Sequence, residues 1–283
     1  MKRQAHIAKG AEIAENYLEA ASRAIRQLRN SAVRLTLATI QVGQTKDMEL
    51  YSNYLSKLLK RLDIQWMPHV FPQDERENNI VLKIIGLNAN PKITGIMVFS
   101  PLPATINPTN ILNNIHILKD VEGRTFLKSH FGVFSPTANA VLTLLESHTR
   151  EFAGKEAVVI GHSDLVGKPT AVLLMDKMAT VMVCHAKTRN LQSHIKKADI
   201  VVAAAGKPNL IKGAWIKKGA VVIDVGENVV NGKIVGDVEF ETAKKRASYI
   251  SPVPGGVGPV TNVMLIKNLL TLQHLMQLSN GNR

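Results

Sequence analysis

Apolar positions along the chain follow two periods, and their alternation predicts the architecture. A helical period runs through residues 11–29, 50–62 and 79–90. Between these lie short runs rich in β-branched residues, RLTLATIQVG (34–43), WMPHVF (66–71) and TGIMVFS (94–100), which predict strands. The order βαβαβ predicts a parallel sheet with right-handed crossovers. Within the helix at 50–62, Leu50, Tyr54, Leu58 and Leu62 recur every four residues and predict its buried face, with Tyr51 beside that stripe. PLPATINPTN (101–110) reads as a loop at the carboxyl end of the third strand, the end at which open α/β sheets bind ligands.

A second α/β pattern follows SPTANAVLTLLESH (135–148), a helix with Ser135 as N-cap and Pro136 in its first turn. AVVIGHSDLVGKP (157–169) is a strand, a glycine turn and a helix start; TVMVCH (180–185), DIVVAAAG (199–206) and AVVIDVG (220–226) are further strands. Their bare Val/Ile runs predict strands covered on both faces. VVNGKIV (229–235) places Asn-Gly between β-rich arms, a hairpin signal. The apolar stretch 263–277 predicts a long final helix. The fold class is therefore α/β in two domains, 1–125 and 145–255, with the C-terminal helix 262–283 packing back onto the first.

Bulk composition narrows the function classes. With 45% hydrophobic and 20% charged residues among 283, the chain can bury a core and is not disordered. No apolar run approaches the ~20 residues of a membrane span, and MKRQAHIAKGAEIAENY carries no apolar stretch of a secretory signal. Cys184 is alone, so no internal disulfide forms and a cytoplasmic location is expected. The net charge of +13 invites a nucleic-acid partner, but Lys and Arg are dispersed and aromatics are only 5%, so none is expected. A basic surface also attracts small polyanions such as dinucleotides or polycarboxylates. No membrane partner and no metal are expected.

The glycine turn is the first candidate for chemistry. Gly161 lets backbone approach a pyrophosphate, and Gly167 opens a helix whose free N–H groups and dipole favour negative charge. The spacing is G-x-S-x-x-x-G, not the common G-x-G-x-x-G, so it gains weight only from the strands around it. The next strand end, CHAKTR (184–189), has no acid to hold a ribose 2′-hydroxyl and offers Lys187 and Arg189 instead, which taken alone favours a phosphorylated ribose.

SPVPGGVGPVTNVML (251–265) is a rigid, side-chain-poor loop suited to close backbone approach to a flat ligand. Together with AVVIGHSDLVGKP, KDVEG (119–123), VCHAKT (183–188), GKPNLI (206–211), AVVIDVG and VGDVEF (235–240), it resembles the methylenetetrahydrofolate dehydrogenase/methenyltetrahydrofolate cyclohydrolase family over nearly the whole chain. The resemblance implies a folate-side α/β domain and a Rossmann domain holding NAD or NADP, a cleft between them, and a homodimer formed through the Rossmann domain. It implies folate contacts at Tyr51, Leu55, Val98, Phe99, Ser100 and Glu122, and at Pro254, Gly255, Gly256, Val257 and Gly258. It implies dinucleotide contacts at Gly161, His162, Ser163, Gly167, Ala186, Lys187, Gly206, Gly226 and Glu227.

Departures from the family pattern gather at these ligand-facing positions while the scaffold glycines and prolines persist. The family's Tyr-x-x-x-Lys keeps Tyr51 but has Leu55 where the lysine for cyclohydrolase chemistry stands; Lys57 matches a second, outer family lysine. Phe99 replaces the Gln that bonds that lysine, and Glu122 replaces the Asp that grips the pterin edge. His162 and Ala186 replace an Arg and a Ser that read a 2′-phosphate, and Glu227 replaces an apolar residue near the nicotinamide. Cyclohydrolase action needs a proton carrier, whereas hydride transfer asks mainly for orientation. A dehydrogenase with lost cyclohydrolase activity is therefore expected, NADP not being preferred, with Tyr51, Glu122 and Glu227 as candidate catalytic residues. Two alternatives stay open: a transferase that passes the methylene C1 unit from folate to a second small-molecule acceptor, with Glu122 or Glu227 as base, and a catalytically silent folate-binding protein.

Overall fold

A computed structural model describes residues 5–124 and 133–281. In chain order its elements are β1 (His6–Ile7), α1 (Gly10–Asn30), β2 (Thr36–Val42), α2 (Lys46–Arg61), β3 (Gln65–Phe71), α3 (Glu77–Ala89), β4 (Gly95–Val98), α4 (Pro108–Asn113) and α5 (Pro136–His148). Then come β5 (Glu156–Ile160), α6 (Gly167–Asp176), β6 (Thr180–Cys184), α7 (Leu191–Lys197), β7 (Ile200–Ala203), β8 (Val221–Asp224), β9 (Asn228–Val230), β10 (Lys233–Val235), α8 (Phe240–Ala243), β11 (Tyr249–Ile250) and α9 (Val257–Gly281). The chain divides into two compact units. One comprises the chain up to Tyr17 with Ser135–Met264, the other Leu18–Phe134 with the chain from Leu265. Among the described residues no helix is long and apolar enough to cross a membrane.

The unit built on Leu18–Phe134 has a three-stranded parallel sheet in the order β3-β2-β4. Every residue of β2 is buried, as its apolar run predicts for a central strand. Ile40, Ile80, Ile84, Ile96 and Ile111 join sheet to helices in one core. Thr45 caps α2 by accepting the Met48 N–H, while Asp47 and Glu49 in the first turn and Lys60 and Arg61 in the last complement the helix dipole.

The buried face of α2 is not the expected stripe. Met48, Leu55, Leu58 and Leu59 are buried, whereas Leu50 and Tyr54 are 69% and 46% exposed. Four-residue steps advance about 40° beyond a full turn each time, so a stripe drawn at that spacing drifts round the helix. The expected loop at 101–110 also ends early: Asn107 accepts the Thr109 N–H and Pro108 opens α4.

The other unit carries a six-stranded parallel sheet in the order β1-β11-β8-β7-β5-β6. Alternate residues of its central strands enter opposite cores, Val159, Val202 and Ile223 facing α5 and α6, Val158, Val201 and Val222 facing α7. Chain order reverses between β5 and β7, which makes a switch point there. Three sequence expectations need correction. The two-residue β1 goes unpredicted because His6–Ile7 is too short to show a period. β6 is an edge strand, with Met182 and Val183 exposed, not covered on both faces. The final helix starts at Val257, not near 263, because Pro259 in the first turn loses no helical hydrogen bond. The hairpin β9–β10 is closed by Asn231 and Gly232 at φ 51° and 73°, the type I′ geometry.

Candidate active site

In the Leu18–Phe134 unit the predicted site residues fall on three segments. Tyr51 lies half-buried on α2, with its ring edge-on to Phe99 at 5.6 Å between centroids. Phe99 continues β4 by donating its N–H to the Ile40 carbonyl at 2.8 Å. The KDVEG segment runs beside β4 in the same direction through a parallel bridge between Ile96 and Asp120, which brings Glu122 to the strand end. There the Glu122 carboxylate takes a backbone hydrogen bond from Val98. Asn268 on α9 donates to the carbonyls of Val121 (2.9 Å) and Phe134 (2.7 Å). Lys119 is turned away to a structural task, donating to the carbonyls of Leu87 and Asn90 at the end of α3.

Leu55 is fully buried beside Leu58 and Leu59, so the side chain at this position packs the helix and presents no surface to a ligand. Val98 and Phe99 are also buried; Ser100 is exposed. Burial pushes the Tyr51 hydroxyl above its ordinary range, with the charges of Glu122 and then Tyr54 adding to it. Tyr51 therefore keeps its proton near neutrality and cannot take over the work of a missing lysine. Burial likewise raises Glu122, and Asp120 pushes it the same way, while Arg124 and the Val98 N–H hold it down. Arg124 was not singled out in the sequence, yet its Nε and Nη2 reach Oε2 and Oε1 of Glu122 at 3.3 Å.

In the other unit a cavity of about 400 Å³ opens at the carboxyl ends of β5, β6 and β7, at the switch point. Gly161, His162, Ser163 and Ala186 line it. His185, Thr188 and Lys207 also line it and were not proposed from sequence. Gly161 sits at φ 125°, and a Cβ there would lie 2.1 Å from the Ala204 carbonyl oxygen. A Cβ on Gly167 would lie 2.1 Å from the Gly161 carbonyl oxygen. The two glycines thus permit one tight turn and the close seating of α6 upon it. Ser163 Oγ accepts from the N–H groups of Val166 (3.2 Å) and Gly167 (3.5 Å) at the start of α6. The His162 and His185 rings lie 5.3 Å apart. Lys187 is exposed on the neighbouring turn and does not line the cavity, nor do Gly206, Gly226 and Glu227.

Two carboxylates that the sequence left unassigned shape the loops around that cavity. Asp237 accepts from the backbone N–H groups of Ala205 (2.6 Å), Gly206 (2.9 Å) and Lys207 (2.8 Å) and from the Asn228 side chain (2.9 Å). Gly226 leaves room for it, since a Cβ there would lie 2.2 Å from Asp237 Oδ1. Asp224 accepts from Gly226, Asp237 and Val238, yet burial, helped by the charge of Asp237, pushes its pKa up to about 7. Glu227 is exposed, with Oε1 toward Gly258 in the first turn of α9, which the Pro254–Gly256 loop leads into. In that loop Gly255 takes φ 99°, and Gly256 could carry no Cβ without meeting the Pro252 carbonyl at 2.6 Å.

A glycine-built turn, a cavity at the switch point and a helix start suit a dinucleotide, and the fit rests on the space that absent Cβ atoms leave. Comparison with known proteins agrees. The profile for tetrahydrofolate dehydrogenase/cyclohydrolase, catalytic domain, matches residues 8–122, and the one for the NAD(P)-binding domain matches 135–277. The bifunctional protein FolD of Thermodesulfovibrio yellowstonii is 41% identical over 273 residues, covering 94% of this chain and 96% of its own. The crystal structure of bifunctional FolD, a methylenetetrahydrofolate dehydrogenase/cyclohydrolase from Campylobacter jejuni, is 34% identical, with a TM-score of 0.92 over 96% of this chain and 99% of its own. That of Trypanosoma brucei FolD, complexed with NADP and an inhibitor, is 34% identical, with a TM-score of 0.90 over 96% and 98%.

Proposed function

The chain belongs to the tetrahydrofolate dehydrogenase/cyclohydrolase family, and from that premise we propose that it oxidises methylene-tetrahydrofolate to methenyl-tetrahydrofolate with NAD(P) and does not hydrolyse the product. The observation that carries the redox half is the glycine-built cavity at the β5/β7 switch point. A nicotinamide dinucleotide held there supplies the hydride acceptor. This chain's residues bind and orient. The Gly161 turn and the start of α6 take the pyrophosphate, Tyr51 offers a ring face to the pterin, and Glu122 accepts a hydrogen bond from the pterin edge. The loss of hydrolysis is supported by Leu55, buried in the helix packing, and by Phe99 against the Tyr51 ring. Reduced dinucleotide formed from methylene-tetrahydrofolate, followed by absorbance, tests the reading. A protein that binds both ligands and forms none would overturn it in favour of the silent folate-binding protein.

The exposed Glu227 over Gly258 favours a second reading, transfer of the C1 unit to a second small-molecule acceptor with that carboxylate as base. It is distinguished by consumption of the C1 unit only when the acceptor is added. The single cysteine, buried at the end of β6, supports a cytoplasmic setting for either reaction.

Cofactor choice follows from what lines the cavity. His162 and Ala186 line it beside the end of β6 while Lys187 stands outside, and its one lining lysine, Lys207, follows β7, so a ribose 2′-phosphate held beside β6 lacks the charge-assisted partners such a group uses. One such contact is worth about ten- to a hundredfold in affinity. NADP is thus expected not to bind better than NAD at neutral pH. Calorimetric titration of both dinucleotides at neutral pH decides this. NADP binding tighter than NAD would assign the phosphate to Lys207 or Lys187.

The β9–β10 hairpin exposes Val229, Val230 and Ile234, and an apolar hairpin of this kind supports a homodimer through this unit. Val229→Lys with Ile234→Lys is expected to convert the dimer to monomer at micromolar concentration by light scattering. A wild-type protein that is monomeric there refutes the dimer.

A further inference from the structure

The missing lysine at position 55 leaves the folate-side site without its expected cation, yet a cation is present from another segment. Arg124 lies beside Glu122, with the two side chains only 15% and 12% exposed. Both oxygens of Glu122 are contacted, through Nε and Nη2 at 3.3 Å, which leaves the two N–H groups of Nη1 uncommitted to Glu122. The carboxylate has about four lone-pair directions, and the Nε and Nη2 groups of Arg124 with the Val98 N–H occupy three of them, which leaves one for a ligand donor. Glu122 accepts from the backbone of Val98, the residue before Phe99, whose ring lies edge-on to Tyr51. The result is an acceptor and a donor side by side, both largely buried, near the end of the strand that Phe99 continues.

We propose that Arg124 is a specificity-determining residue of the folate-side site, and that Glu122 and Arg124 together read the lactam edge of a 2-amino-4-oxo ring. The inference rests on the folate reading above and adds to it a residue outside the set matched to the family pattern. The carboxylate accepts from the ring N3–H with its remaining lone pair, and the guanidinium donates to the 4-oxo oxygen. A 2,4-diamino ring turns a donor toward the guanidinium instead, leaving two sets of donors facing each other in a half-buried site. Such a mismatch is costly because the buried polar groups lose their partners. A lone Glu122, one methylene longer than an aspartate, has more rotamers to hold. Arg124 fixes it in one orientation.

The test uses tetrahydrofolate and tetrahydroaminopterin, which has an amino group in place of the oxygen at ring position 4 and no hydrogen on N3, titrated anaerobically into the full-length protein. Wild type is expected to prefer the 4-oxo ligand about ten- to a hundredfold. Arg124→Met is expected to lose most of that preference through weaker 4-oxo binding, with dinucleotide affinity unchanged as evidence that the protein is folded. Arg124→Lys, which keeps the charge without the fork, is expected to fall between and serves if the Met variant does not fold. A wild-type preference that survives in both variants overturns the role of Arg124. A wild type that binds both rings equally also overturns it, whereas one that binds neither ring overturns the folate reading itself.

Discussion

Hydrolysis of methenyl-tetrahydrofolate by this protein is expected to run about 10²–10⁴-fold below a family member that retains the lysine, the usual cost of losing a positioned acid or base. Leu55 has no ionisable group and is fully buried. Phe99 packs against Tyr51 where a polar partner would have to stand, and Tyr51 holds its proton too firmly to substitute. Restoring one residue is not expected to suffice. Leu55→Lys alone places an unpaired ammonium among Leu58 and Leu59 and should lower the melting temperature without restoring turnover. Leu55→Lys with Phe99→Gln gives the ammonium a hydrogen-bond acceptor and is expected to recover part of the hydrolysis. The Glu122–Arg124 pair still differs from the family site, so recovery stays incomplete. Enzyme-dependent turnover of methenyl-tetrahydrofolate by the unaltered chain, compared with buffer, would contradict this account.

Gly161→Ala is expected to abolish dinucleotide binding. The added Cβ would meet the Ala204 oxygen at 2.1 Å and its carbonyl carbon at 2.8 Å, both main-chain atoms that cannot rotate away. The φ of 125° adds strain of about 1–3 kcal/mol. Overpacking costs roughly another 1–3 kcal/mol. The turn that admits a pyrophosphate must open to relieve them. Calorimetry with NAD and NADP should show no binding, and thermal unfolding a lowered transition. Tetrahydrofolate binding at Tyr51 and Glu122, which lie in the Leu18–Phe134 unit, should persist. An alanine variant that binds dinucleotide like wild type would show that Gly161 does not form the approach.

How far these features were legible from sequence depended on how local their causes are. Gly161 and Gly167 announced themselves, because a strand, a turn and a helix start lie within one short stretch. Asn231-Gly232 did the same for the hairpin, its type I′ turn needing positive φ at two adjacent residues. The buried face of α2 was misjudged by a spacing that is close to the helical repeat but not equal to it. Asp237 stayed silent because its partners, Ala205 to Lys207, lie about thirty residues upstream and are backbone groups with no side-chain signature. Lys207, whose N–H is one of the three that Asp237 accepts from, lines the cavity. Arg124 was overlooked for a related reason: two residues from Glu122 in a segment without regular period, nothing but the fold shows that they pair.

The most direct test follows methylene-tetrahydrofolate oxidation with each dinucleotide while recording reduced dinucleotide and methenyl-tetrahydrofolate together, against a buffer blank for spontaneous hydrolysis. The account predicts that methenyl-tetrahydrofolate accumulates in step with reduced dinucleotide and decays only at the rate of the blank. Reduced dinucleotide formed without accumulation of methenyl-tetrahydrofolate, its place taken by the hydrolysed formyl product, would contradict it.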